Sequence, residues 1–173
     1  MTGAPGEEPG GIVILGVGNL LLTDEGVGPT TIAHLEERWR FPEHVELVDG
    51  ATAGLELMNV FGGAAHLVVV DAVLGGAEPG AIYRFHPDQV PSGVRCRTSI
   101  HQITFLEAWT IARILGPVPE VIIVGIEPED MSTPHVGLTP TVQARLPDIE
   151  GVVLGELARL GVVPERKPEI GEV

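Results

Sequence analysis

Four acidic residues, Glu25, Asp49, Asp71 and Glu127, each stand at or shortly after a short apolar run: Ile12 to Val17, Val45 to Val48, Leu67 to Val70 and Val121 to Ile126. Such runs read as buried strands. In an open parallel sheet, ligands bind beyond the carboxyl ends of the strands. The four acids therefore fall near one edge. His101 opens a predicted helix after a long loop, which lets it reach the same edge. Carboxylate oxygens together with an imidazole nitrogen suit a divalent cation such as zinc, nickel or ferrous iron, with open positions left over. A single strand-end acid more often caps a turn or helix; as a group, these residues read better as a site. The spacing is scattered and contains neither HExxH nor CxxC, so spacing alone does not specify the chemistry.

Other chemistries fit less well. Gly16-Val17-Gly18-Asn19 follows a strand, but GxGxxG would need glycine where Leu21 stands, and the following leucines are too bulky for a pyrophosphate cradle. A nucleotide-dependent enzyme is the weaker reading, and an ATP or NAD titration tests it. There is no GxSxG elbow. Cys96 lies between Arg95 and Arg97, which would lower its pKa, but nothing in the spacing supplies a base, and it reads as an ordinary loop cysteine.

The elements that must position these residues alternate between strand and helix. A helix is predicted to open near Asp24 to Pro29 and bury Ile32, Leu35 and Trp39. A short helix fits Gly54 to Phe61. Gly75 to Gly80 is a turn, Ala81 to Phe85 a further strand, and Pro87 to Ser99 an irregular loop. His101 to Leu115 reads as a helix capped by Thr98 or Ser99, with Ile103, Leu106, Ile111 and Ile114 as core positions. Leu138 to Leu160 is mostly helical, with Pro147 marking a kink or a fresh start. This alternation predicts an α/β fold with a parallel sheet covered on both faces. Residues 1–11 are expected to be a flexible leader, 12–162 a single domain and 163–173 a polar, mobile tail.

Composition narrows the partners. Ten Lys and Arg face 24 Asp and Glu, a net charge of -14. Phosphate binding needs clustered positive charge, so neither nucleic acid nor an anionic membrane is expected as a partner. The lone cysteine permits no intrachain disulfide. No run is long and apolar enough to span a bilayer, and Met1 to Gly10 is acidic and Gly/Pro-rich, the wrong chemistry for a signal peptide. A cytoplasmic protein is the expectation.

The stretch Ile14-Leu15-Gly16-Val17-Gly18-Asn19-Leu20-Leu21-Leu22-Thr23-Asp24-Glu25-Gly26-Val27-Gly28 resembles the opening signature of the hydrogenase maturation endopeptidases. Further blocks follow in that family's order: Asp49-Gly50-Ala51-Thr52-Ala53-Gly54, Val69-Val70-Asp71-Ala72-Val73, Ser99-Ile100-His101-Gln102 and Gly125-Ile126-Glu127-Pro128-Glu129. The resemblance runs from about Ile12 to about Leu160.

It implies a three-layer α/β/α sandwich around a mostly parallel twisted sheet. It also implies an endopeptidase that removes the C-terminal extension of a nickel–iron hydrogenase large-subunit precursor after nickel insertion. Glu25, Asp71 and His101 match the family's metal-contacting residues. Asp49 matches a further acid, and for that reason the family has been grouped with aspartic peptidases; Asp49 or Asp71 would serve as catalytic acid or base. Nickel carried by the substrate is the implied metal, although other divalent ions would be able to occupy the site. The precursor is the implied partner, and a monomer is expected. A nickel-binding accessory protein without peptidase activity, using the same three ligands, is the alternative. The family's second block usually reads Asp-Gly-Gly-Thr, and Ala51 replaces its second glycine. If that position requires positive φ, alanine strains the loop by roughly 1 kcal/mol.

Overall fold

The computed structural model describes residues 11–51, 57–96 and 104–168. In chain order the elements are β1 (Ile12–Val17), α1 (Val27–Arg38), β2 (Trp39–Arg40), β3 (Val45–Ala51), α2 (Leu57–Gly63), β4 (His66–Leu74), β5 (Ile82–Phe85), β6 (Arg95–Cys96), α3 (Phe105–Leu115), β7 (Glu120–Ile126), α4 (Pro140–Gln143), α5 (Leu146–Arg159) and β8 (Glu165–Arg166).

Every residue of β1 is buried, the pattern of a strand covered on both faces. The main sheet runs β3-β1-β4-β7-β5, with β6 pairing the end of β4. β3, β1, β4 and β7 are parallel, and β5 closes the edge antiparallel to β7. One face packs Ile12, Ile14, Val68 and Val70 against Leu35 of α1 and Ile149 and Val153 of α5. The other packs Leu15, Leu67, Val69 and Ile123 against Phe61 of α2 and Phe105 and Trp109 of α3. This is the expected three-layer arrangement. Each large side chain so buried contributes roughly 1.5–3 kcal/mol against solvent exposure.

Several expectations need correction. α3 is capped by Thr104, whose hydroxyl accepts from Glu107 N–H while the Glu107 carboxylate accepts from Thr104 N–H. The expected caps Thr98 and Ser99, and Ile103, lie outside the described residues. α3 buries Phe105, Ala108, Trp109 and Ala112, whereas Ile111 and Ile114 are exposed. Facing the sheet with two alanines lets the helix lie close, which turns the aliphatic positions outward.

Pro147 stands in the first turn of α5, so it marks a fresh start. The loop after β5 contains β6, which pairs Cys96 with Val73. The expected polar tail begins with order: β8 pairs with β2, and Lys167 N–H donates to the Arg38 carbonyl. The leader expected at 1–11 falls outside the described residues except for Gly11, as do residues 169–173.

Candidate active site

The turn after β1 carries Glu25. Gly16 and Gly28 allow α1 to start directly against β1: a Cβ on Gly28 would lie 2.2 Å from the Val17 carbonyl oxygen, and one on Gly16 would lie 2.4 Å from the Gly28 carbonyl oxygen. These glycines serve backbone packing, which accounts for the incomplete dinucleotide motif. Between the strand and the helix, Thr23–Gly26 forms a 3-10 turn whose four residues are all buried.

The turn is locked from one side by Asp24, which is fully buried. Its Oδ2 accepts from Glu129 N–H at 2.9 Å and Asp130 N–H at 3.0 Å. Its Oδ1 accepts from Thr139 N–H at 2.8 Å, and the Thr139 hydroxyl lies 3.0 Å from Oδ1 and 2.9 Å from Oδ2. Asp24 N–H in turn donates to the Asp130 carbonyl at 3.0 Å. Beside it, Thr23 holds φ at 49°, a left-handed conformation unusual for a β-branched residue. Its hydroxyl donates to the Thr133 carbonyl at 2.6 Å and its N–H to the His135 carbonyl at 3.0 Å. Strain of this kind, of order 1–3 kcal/mol, persists only where the surroundings enforce it. Asp130 closes its own turn by accepting from the N–H groups of Ser132 and Thr133; a hydrogen bond from the Thr133 side chain, then these backbone bonds, hold its pKa well below the usual range.

Glu25 and Asp71 are both buried, each 2% exposed. Asp71 does not end its strand as expected; β4 continues to Leu74. Alternation along β4 puts Asp71 on the face shared by Leu67, Val69 and Val73, which is also the face covered by α3. Burial pushes the Asp71 pKa well above the usual range; a backbone hydrogen bond from Ala72 opposes this, and the charge of Glu25 adds to it. Asp71 Oδ1 has no hydrogen-bond partner among the described residues. A buried carboxylate oxygen without a donor, next to a second carboxylate, is costly unless a proton or cation satisfies it. The pair therefore fits a divalent cation.

His101 lies outside the described residues, three positions before the Thr104 cap of α3. Among the described residues, no three His, Cys, Asp or Glu side chains converge as a metal-binding group.

Asp49 is not brought to this pair. It is opposite Gly16, which faces Val70 on its other side, so Asp49 lies two strands from β4, about 10 Å away. Alternation puts it on the Leu47 side of the sheet, away from Asp71. It is exposed, and its Oδ1 accepts from Ala51 N–H at 2.9 Å. Ala51 has φ at 41°, so the condition for strain at this departure from the family pattern is met.

Glu127 also stands apart, and its grouping with the site needs correction. Its carboxylate accepts from Gly75 N–H at 2.7 Å, Gly76 N–H at 3.3 Å and the Tyr83 hydroxyl at 2.6 Å. It ties down the turn between β4 and β5, the ordinary fate of a strand-end acid. Asp24 and Thr139 are the residues that sequence reasoning did not single out. The available signals were an acid directly before Glu25 and a Thr-Pro helix start.

The fold is a doubly covered, mostly parallel sheet that buries two carboxylates towards the carboxyl ends of its central strands. The sequence profile of the hydrogenase maturation proteases matches residues 29–156. The chain belongs to that family. It is 37% identical over 153 residues to the hydrogenase 2 maturation protease of Escherichia coli K12, covering 87% of this chain and 93% of that one. It is 39% identical over 154 residues to the hydrogenase expression/formation protein HoxM of Azotobacter vinelandii, covering 88% and 74%. The hydrogenase maturating endopeptidase HybD from E. coli superposes with a TM-score of 0.82 at 36% identity, covering 91% of this chain and 98% of that one.

Proposed function

We infer that this chain is an endopeptidase that removes the C-terminal extension of a nickel–iron hydrogenase large-subunit precursor. The observation that carries the reading is the buried Glu25–Asp71 pair, with an Asp71 oxygen that has no partner among the described residues, on a chain of this family.

In the proposed mechanism, nickel is part of the substrate. Glu25, Asp71 and His101 take hold of nickel already seated in the precursor, and docking fixes the scissile bond beside it. Burial and the Glu25 charge disfavour ionised Asp71, and an arriving cation offsets both. Held by these residues, nickel would supply a Lewis acid that polarises the carbonyl or activates water. In the other route Asp71 acts as general base. The separation of Asp49 from the pair favours a recognition or loop-shaping role for it over proton transfer at Asp71.

Two carboxylates and one imidazole, without thiolate, give modest selectivity among divalent ions, so other such ions also occupy the site when supplied. The proposed setting is the cytoplasm, with the protein acting as a monomer; among the described residues no helix is long and apolar enough to cross a membrane.

The test is incubation with nickel-loaded and nickel-free precursor, paired with elemental analysis of the isolated enzyme. Shortening of the loaded precursor alone, by an enzyme carrying little metal, is expected. One tightly held zinc and equal cleavage of both precursors would mean a conventional metallopeptidase. Nickel transfer without shortening would mean an accessory metal carrier.

A further inference from the structure

Leu20, Leu21 and Val136 are 42%, 64% and 68% exposed. They occupy one ribbon: His135 N–H donates to the Leu21 carbonyl at 3.0 Å, and Leu22 bridges His135 in parallel. The backbone that carries the leucines is fixed. Leu21 N–H is held by Asn19 Oδ1 at 3.0 Å, and the ribbon is fixed at its root by the hydrogen bonds of Thr23 and Asp24.

The ribbon is also continuous with the site. A Cβ on Gly26, the residue after Glu25, would lie 3.0 Å from Leu20 Cα and 3.4 Å from Leu20 Cδ2. Leu20 thus lies on the turn that presents Glu25. A protein chain brought to the Glu25 turn therefore meets this apolar rim beside it. A backbone already fixed by hydrogen bonds offers these apolar side chains to a partner at a smaller loop-ordering cost.

We propose that Leu20, Leu21 and Val136 form a docking rim that takes apolar side chains of the precursor flanking the scissile bond. The proposal rests on the peptidase reading above, and it commits to one occupant, the protein substrate. The rim sets affinity and substrate choice, while Glu25 and Asp71 deal with nickel and the reacting bond.

The test compares Leu21→Ser, Val136→Ser and the double variant with wild type, using nickel-loaded precursor. Ile114→Ser is the control. Its side chain is 79% exposed near the end of α3, which leads into the start of β7, at the amino ends of the parallel strands. Each single rim variant should raise KM roughly five- to tenfold, and the double variant more, with kcat within about threefold of wild type. Binding of the same precursor to Glu25→Gln enzyme, with and without the two rim changes, should weaken in parallel. Ile114→Ser should change neither quantity.

Wild-type KM and binding in the double variant overturn the rim. So does an equal loss in Ile114→Ser, which would make the effect one of general surface hydrophobicity. If wild type fails to cleave the precursor, the peptidase reading falls. The binding arm then still decides the rim: weaker precursor binding in the double variant supports it, and unchanged binding overturns it.

Discussion

Glu25 and Asp71 are buried together from different elements; burial raises the Asp71 pKa, and the charge of Glu25 adds to the rise. Glu25 comes from a 3-10 turn ahead of α1, and Asp71 from within β4. Two carboxyl groups buried together cannot both ionise cheaply. The arrangement is poor for stability and well suited to a site that waits for a cation.

Replacing either acid should therefore separate stability from function. Glu25→Gln keeps the side-chain shape and should fold with unchanged circular dichroism. It should abolish precursor processing and weaken divalent-ion binding by at least roughly tenfold. His101→Ala, at the third expected ligand, should behave in the same way. Normal cleavage by either variant removes that residue from the mechanism.

Asp71→Asn should abolish processing yet stabilise the protein at neutral pH. A carboxyl whose pKa is raised on folding binds more protons in the native state, so stability falls as pH rises above the ordinary Asp range. The variant loses that penalty. Its Tm should exceed wild type at pH 7.5 by roughly 2–4 °C per kcal/mol relieved, and the gap should close towards pH 4. Thermal melts across that range check it, and a variant less stable at pH 7.5 contradicts it.

Asp24→Ala should be costly. It strips the partner from two loop N–H groups and from both polar groups of Thr139. A loss of about 3 kcal/mol in urea unfolding is expected, with processing at least tenfold slower. Thr139→Ser keeps the hydroxyl and the N–H, and should lose less than about 1 kcal/mol.

Ala51→Gly should gain roughly 0.5–1 kcal/mol, because glycine adopts φ near 41° without the Cβ penalty. The bond from residue 51 N–H to Asp49 survives the change, so processing should stay within about twofold of wild type. A destabilised variant would show that the unfolded-state entropy of glycine outweighs the relieved strain.

Cys96→Ser should process precursor normally, and serine- and cysteine-directed inhibitors should have no effect. The backbone of Cys96 pairs with Val73 in the short β6, a structural use of this position. Lost activity in a folded Cys96→Ser variant would overturn the metal-assisted reading.

Much of the fold was legible because parallel strands buried on both faces read as unbroken apolar runs. β1, β4 and β7 lie where those runs fall. The helix faces were harder. In α3 the large aliphatic residues Ile111 and Ile114 point outward, while Ala108 and Ala112 face the sheet. Counting large aliphatics misses a face chosen for close approach. Strand-edge logic singled out Glu25 and Asp71, which the fold buries together, although Asp71 lies within β4 and not at its end, and the same logic admitted Glu127, whose carboxylate serves a turn. Asp24 was hidden because its partners are mostly backbone N–H groups in a distant loop, and backbone donors leave no mark on side-chain type.

The Asp24 carboxylate meets Thr139 across 115 positions of chain. During synthesis Glu25 and Asp71 emerge early, but the residues that fix the Glu25 turn emerge only when most of the chain has been made. A nascent fragment ending before Thr139 therefore holds both acids without the geometry that aims them.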